Sequence, residues 1–134
     1  MIRVVLDPNV LIAALLSRDG TPAHLLKHWV AGELEIVVSV VLLTGLERAL
    51  AYPKLARRIA TADAAAFVSL LRSSALTVAD PSNVPARSSD PGDDYLLALA
   101  QTAKAYLVSG DRHILELAGA CPVYSPRELL GMLA

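Results

Sequence analysis

The apolar positions of the chain follow two patterns, short continuous runs and longer segments with helical spacing. The continuous runs predict five strands, at residues 2–6, 33–39, 75–79, 106–109 and 122–124. Strands that alternate with helices are typical of parallel pairing with right-handed crossovers. The sequence therefore predicts an α/β fold, a three-layer α/β/α sandwich whose central, mainly parallel sheet has about five strands.

Capping residues and prolines bound the predicted helices. Asp7, Thr21 and Ser125 are expected N-caps, each followed by proline, and Glu128 stands at the capping-box position of the last helix. The segment 80–92 holds three prolines and several small polar residues, which predicts a loop. Further helices are predicted over residues 41–51, 54–60, 61–74, 93–105 and 112–118.

Length and composition indicate one domain, over residues 1–134, with a substantial core. Mean hydropathy is high at +0.49, yet no apolar run reaches the roughly 18 residues of a membrane span. The N-terminus enters a strand without a basic leader, so we expect a cytoplasmic protein that does not enter the membrane. The single Cys121 excludes a disulfide within the chain and a thiolate zinc cage.

Acidic residues lie at the ends of apolar segments. Asp7 follows the first predicted strand and Asp111 the fourth, while Glu47 and the pair Asp93 and Asp94 lie in or at the start of helical segments. The carboxyl ends of parallel strands meet along one edge of a sheet, where ligands bind. Carboxylates gathered there repel one another unless a cation lies between them. The pattern therefore indicates a Mg²⁺ or Mn²⁺ site.

The overall charge does not favour a basic, sequence-independent nucleic-acid binder. Net charge is −1 and the pI is about 6.3, whereas such binders are usually more positive. Arg48, Lys54, Arg57 and Arg58 nevertheless cluster within eleven residues. That pattern alone is more typical of solvated helix faces, but beside an acidic pocket it would suit a metal-dependent phosphodiester enzyme.

Four segments resemble, in order and spacing, those of the PIN domains. They are VVLDPNVLIAALL, LLTGLERALAYPKLARRI, DPGDDYLLALAQTAKAYLVSGDRHIL and the final SPRELL, and together they cover nearly the whole chain. The similarity is closest to the toxin components of toxin–antitoxin pairs related to VapC-type ribonucleases. The resemblance implies a PIN-like fold, a ribonuclease dependent on one or two Mg²⁺ or Mn²⁺ ions, an RNA substrate and a small antitoxin partner.

The resemblance also implies roles for individual residues. The family's catalytic acids match Asp7, Glu47, Asp93 and Asp111. The metal ligands are expected among Asp7, Asp93, Asp94 and Asp111, and the choice between Asp93 and Asp94 stays open. Hydrogen-bond partners of these acids match Asn9 and Ser109. Residues placed to contact RNA are Arg112 and His113 beside the pocket, with Lys54, Arg57 and Arg58 along the flanking backbone.

Two departures from the family pattern keep an alternative open. Pro8 stands where the family usually has Thr or Ser, and His113 stands where a further acid is common, which weighs against a second ion. The alternative is a catalytically weakened PIN-like module that binds RNA or a protein partner. Phosphoryl-transfer domains of the haloacid-dehalogenase type rank last, because they need a second Asp where this chain has Asn9. The high apolar content favours a homodimer.

Overall fold

A computed structural model describes residues 1–116 and 122–133, and its centre is an all-parallel sheet of five strands in the order β3-β2-β1-β4-β5. The strands are β1 (Arg3–Leu6), β2 (Glu35–Val38), β3 (Leu76–Thr77), β4 (Tyr106–Val108) and β5 (Val123–Tyr124). Helices flank this sheet, and the predicted α/β fold with a parallel five-stranded sheet is confirmed.

The described helices connect the parallel strands of the sheet. They are α1 (Pro8–Leu16), α2 (Thr21–Val30), α3 (Val40–Ala51), α4 (Pro53–Ala56), α5 (Thr61–Ser74), α6 (Pro91–Thr102), α7 (Arg112–Leu115) and α8 (Pro126–Leu133). Among the described residues, none of these helices combines the length and the apolar character that crossing a bilayer requires. Two parts of the predictions lie outside the described residues: the last two positions of the helix predicted over residues 112–118, and Cys121.

The central strands are buried on both faces because helices cover the sheet on each side. Val4 and Val5 of β1 and Val37 of β2 have no exposed surface, and burial of each such side chain contributes roughly 1.5–3 kcal/mol. In the register of the sheet, Val5 pairs with Val37 on one side and with Leu107 on the other. The β-branched side chains suit this two-sided packing, and the pairing fixes where each strand ends.

Capping residues begin the helices that leave the carboxyl edge of the sheet. Asp7 caps α1, as predicted, and Ser125 and Glu128 form the predicted reciprocal capping box. The predicted cap at Thr21 is wrong, since α2 begins at that residue and its cap is Gly20. The predicted loop 80–92 is two residues too long: α6 begins at Pro91, with Asp90 as its cap.

Candidate metal-binding and active site

A cavity of about 540 Å³ opens at the carboxyl edge of the sheet, where β1 and β4 end and α6 begins. Its polar lining is dominated by four carboxylates, those of Asp7, Asp90, Asp93 and Asp111. The facing wall belongs to α3 and carries no charge. The sheet thus brings together residues that lie more than a hundred positions apart in the sequence, as the parallel arrangement predicted.

Asp7 and Asp111 are joined by one buried hydroxyl. Asp7 is 5% exposed and Ser109 is 0% exposed. The Ser109 hydroxyl donates to Oδ2 of Asp7 at 2.9 Å, and its oxygen accepts the backbone N–H of Asp111 at 3.0 Å. The other carboxylate oxygen of Asp7 accepts the backbone N–H of Asn9 at 3.0 Å. Ser109 therefore lies where the sequence placed a hydrogen-bond partner of the acids, and it sets the orientation of the Asp7 carboxylate.

Asp111 and Asn9 lie at the mouth of the site. Asp111 caps α7, and its Oδ1 accepts the backbone N–H of His113 at 2.8 Å. With Asp7 and Asn9 it also lines a second, adjoining cavity of about 410 Å³ on the side of α1. The exposed side chain of Asn9 faces both cavities. These residues therefore line the cavities while their backbone N–H groups are bonded, that of Asn9 to the Asp7 carboxylate and that of Asp111 to the Ser109 hydroxyl.

Asp93 has an unusual proton affinity. Partial burial, followed by the negative charges of Asp90, Asp111, Asp7 and Asp94, raises the pKa of the Asp93 carboxyl from 3.8 to about 6. Each of these effects disfavours the ionised carboxylate. A cation in the cavity would reverse the electrostatic part of this penalty, so the environment of Asp93 suits a divalent ion.

Asp94 serves the loop that precedes α6 rather than the cavity. Its side chain is 6% exposed, and Oδ1 accepts the backbone N–H groups of Arg87 at 3.0 Å and Ser88 at 2.8 Å. These bonds, the Arg87 N–H first, lower the pKa of the Asp94 carboxyl against the opposing effect of burial. Of the two neighbouring acids, Asp93 lines the cavity with Asp7, and Asp94 ties down the chain beside it.

Glu47 does not join the other acids at the cavity. Its carboxylate accepts a 2.7 Å hydrogen bond from Arg72 of α5, in a groove of about 470 Å³ between α3, α4 and α5. The residues that α3 turns towards the acid cavity are Val41, Leu42 and Gly45. A helix turns about 100° per residue, so Glu47 lies some 200° around α3 from Gly45 and faces away from the cavity.

Sequence reasoning missed two polar residues of the cavity lining, Asp90 and Tyr95. The signal for Asp90 was available, because Asp-Pro at a helix start is the pattern that identified Asp7. Tyr95 is half-buried in α6, and its hydroxyl donates to the carboxylate of Asp80 and bonds Ser39, the cap of α3. Burial, and then the bond to Asp80, raise the pKa of the Tyr95 hydroxyl. This chain of bonds links α3, α6 and the loop between β3 and α6.

The basic residues proposed to contact RNA are exposed and outside the cavity lining. Arg112 and His113 begin α7, directly after Asp111. Lys54 lies in α4, and Arg57 and Arg58 follow that helix. In the described ranges, no arginine, lysine or histidine lines the acid cavity.

The donor set fits a hard divalent cation by its chemistry. Carboxylate oxygens are the ligands that Mg²⁺ and Mn²⁺ favour, and the raised pKa of Asp93 reflects uncompensated negative charge in the cavity. Within residues 1–116 and 122–133, however, no three acidic, histidine or cysteine side chains are already close enough to hold a metal ion. Binding would therefore require the carboxylates to draw together around the ion.

Comparison with known structures identifies the same architecture elsewhere. The crystal structure of PAE2754 from Pyrobaculum aerophilum has a TM-score of 0.69 at 20% identity, covering 98% of this chain and 89% of that one. The crystal structure of FitAcB from Neisseria gonorrhoeae has a TM-score of 0.59 at 14% identity, covering 92% and 98%. At these identities the likeness establishes the fold alone. A search of curated proteins found no significant match.

A sequence profile provides the family assignment. The profile described as PIN domain matches residues 3–113, which include β1, the α3 segment, the start of α6 and the Asp111 turn. The matched region thus contains all four acids of the cavity. Since it spans most of the chain, this protein belongs to the PIN domain family.

Proposed function

We propose that this protein is a Mg²⁺- or Mn²⁺-dependent endoribonuclease that hydrolyses RNA phosphodiester bonds. The observation that carries the proposal is the convergence of Asp7, Asp93 and Asp111 on one cavity at the carboxyl edge of a PIN-family fold. PIN domains are generally nucleases, and their resident cofactors are generally divalent metals.

The carboxylates of Asp7, Asp93 and Asp111 would hold the ion in this proposal. When bound, Mg²⁺ or Mn²⁺ lowers the pKa of water and offsets charge on phosphate oxygens. Ser109 keeps the Asp7 carboxylate directed into the cavity through its 2.9 Å hydrogen bond. The uncharged wall contributed by Val41 and Leu42 leaves that side of the cavity open to the sugar and base of a nucleotide.

The biological setting that we propose is a toxin–antitoxin pair in the cytoplasm. Its support is the resemblance of the four sequence segments to toxin components of such pairs. The surface also offers apolar side chains for a partner or a second copy, among them Val30 at the end of α2 and Leu70 on α5, which are 73% and 43% exposed. Exposed Arg112, Lys54, Arg57 and Arg58 would contact RNA phosphates outside the cavity.

RNA cleavage by the purified protein tests the proposal directly. We expect cleavage with Mn²⁺ or Mg²⁺, none with EDTA, and none for Asp7→Asn. This substitution keeps the helix cap, because asparagine caps helices as well as aspartate does. Glu47→Gln is the matched control and should cleave normally. Cleavage that persists in EDTA, or an active Asp7→Asn, would contradict the proposed mechanism.

A second candidate is a PIN module that binds RNA or a partner without cutting. Two observations favour it: Glu47 faces away from the acid cavity, and Pro8 stands where the family has a hydroxyl residue. Calorimetry with MnCl₂ and RNA separates the candidates. Binding of RNA that is indifferent to Mn²⁺ and to Asp7→Asn, without cleavage, would favour the binding module.

A further inference from the structure

We infer that Asp90 is the fourth carboxylate of the acid site and contributes to cation binding there. The inference rests on the proposed metal-dependent function, and it assigns to Asp90 the role that the family resemblance implied for Glu47. It predicts that Mn²⁺ affinity depends on the charge of Asp90 and is independent of the charge of Glu47.

The position of Asp90 at the start of α6 supports this assignment. Asp90 is the N-cap of α6 and Asp93 lies three residues later, so the two side chains stand on the same face of the first turn. Both line the cavity that Asp7 and Asp111 also line. The acids therefore approach the cavity from three junctions: the ends of β1 and β4 and the start of α6.

The cap uses only part of the Asp90 carboxylate. Oδ1 accepts the backbone N–H of Gly92 at 2.8 Å. A carboxylate has two oxygens with about four acceptor positions, so a capping aspartate retains capacity for a cation. Asp7 and Asp111 cap α1 and α7 in the same way, through the N–H two residues later. A capping role is therefore common to three acids of this cavity and does not set Asp90 apart.

Asp90 is also held in place by its surroundings. Its backbone N–H donates to the Ser88 hydroxyl at 3.2 Å, and the Ser88 hydroxyl lies 2.9 Å from its carbonyl oxygen. Ser88 in turn bonds the buried carboxylate of Asp94 through its N–H at 2.8 Å. Asp94 therefore holds in place the segment that carries Asp90. Although Asp94 does not line the cavity, it has a positional role there.

The wall opposite Asp90 explains why α3 cannot supply the fourth acid. Gly45 occupies the α3 position that faces the cavity, and a Cβ there would meet no atom within 4 Å. Glu47, two residues later, is paired with Arg72 in the other groove. The carboxylates consequently cluster on the β1, β4 and α6 sides of the cavity.

Calorimetric titration of the full chain with MnCl₂ tests this inference. The variants are Asp90→Asn and Asp90→Ser, which remove the charge but keep a capping side chain, with Asp93→Asn and Glu47→Gln. We expect both Asp90 variants to bind Mn²⁺ about tenfold more weakly, because cation affinity follows the number of charged ligands. Glu47→Gln should match the wild type. Melting temperatures near the wild-type value would show that both Asp90 variants are folded. If Asp90→Ser does not fold, the Mn²⁺ affinity of Asp90→Asn alone decides whether Asp90 contributes to cation binding.

The outcomes separate failure of the inference from failure of the proposed function. Wild-type affinity in Asp90→Asn, together with weakened binding in Asp93→Asn, overturns the role of Asp90 and leaves the metal site in place. Weakened binding in Glu47→Gln also overturns it. Absence of Mn²⁺ binding by the wild-type protein at millimolar concentration would reject the metal site itself, and the inference with it.

Discussion

Two cavities on opposite faces of α3 differ in whether the charge of their acidic residues is balanced. The groove between α3, α4 and α5 contains one acid, Glu47, and its charge is balanced by Arg72 at 2.7 Å. The acid cavity contains four carboxylates, and none of the ion pairs in the described part of the chain involves them. Cavities of similar volume thus differ in charge balance: the groove is close to neutral, and only the acid cavity has negative charge that a cation would balance.

The comparison is tested most strongly by neutralising one acid on each side of α3. We expect Asp93→Asn to lower RNA cleavage by at least about 100-fold, because it removes a charged ligand from the site. Glu47→Gln should leave the rate within about twofold of the wild type. Initial rates on one RNA at a fixed Mn²⁺ concentration measure both. Equal losses in the two variants would show that the acid cavity and the groove act together.

Ser109 should have the next largest effect. Ser109→Ala removes the hydroxyl that orients Asp7 and satisfies the N–H of Asp111, so we expect cleavage to fall about 10- to 100-fold. The buried polar groups left without a partner should lower the free energy of unfolding by about 1–3 kcal/mol. Denaturation in urea measures the second effect. A variant that is destabilised but fully active would refute the orienting role.

The raised pKa of Asp93 gives the metal-free protein a pH dependence. A carboxyl whose pKa is higher in the folded state, about 6 instead of 3.8, favours folding while it is protonated. This contribution is present below pH 3.8 and is lost as the pH rises towards 6. In EDTA, Asp93→Asn should therefore reduce the loss of stability over this interval. Urea unfolding from pH 4 to 7 measures it, and identical profiles for the two proteins would contradict the raised pKa.

The smallest effect is expected for the ion pair of the groove. The Arg72 and Glu47 side chains are 60% and 51% exposed, and exposed pairs contribute at most about 1 kcal/mol. Arg72→Ala should lower the free energy of unfolding by no more than that. A larger loss, measured by urea denaturation in low salt, would mean that the groove depends on this pair for its shape.

The sheet and two of its acids could be predicted from sequence because they depend on strand order alone. Asp7 and Asp111 follow strands that are adjacent in any parallel sheet of this connectivity. The orientation of α3 could not be predicted, since Val40 and Val41 are apolar yet 69% and 51% exposed. With apolar residues on both faces of the helix, the pattern does not distinguish the side that bears Gly45 from the side that bears Glu47.

Asp90 was missed for a different physical reason. The prolines and small polar residues of 80–92 are typical of a loop, and the same composition also occurs at a helix start. Asp-Pro supplies the cap and the first residue of α6, as it does for α1 after Asp7. Local sequence therefore contained the information, but the surrounding loop signals concealed it.

The Ser109 bridge has a consequence for the order in which the site is completed during synthesis. Ser109 and Asp7 are 102 residues apart in the chain, so Asp7 leaves the ribosome long before its hydrogen-bond partner exists. Pairing of Leu6 with Val108 brings the two residues next to each other. Under the proposed function, the nascent chain would remain inactive next to ribosomal and messenger RNA until Ser109 and Asp111 had been translated and had folded against Asp7.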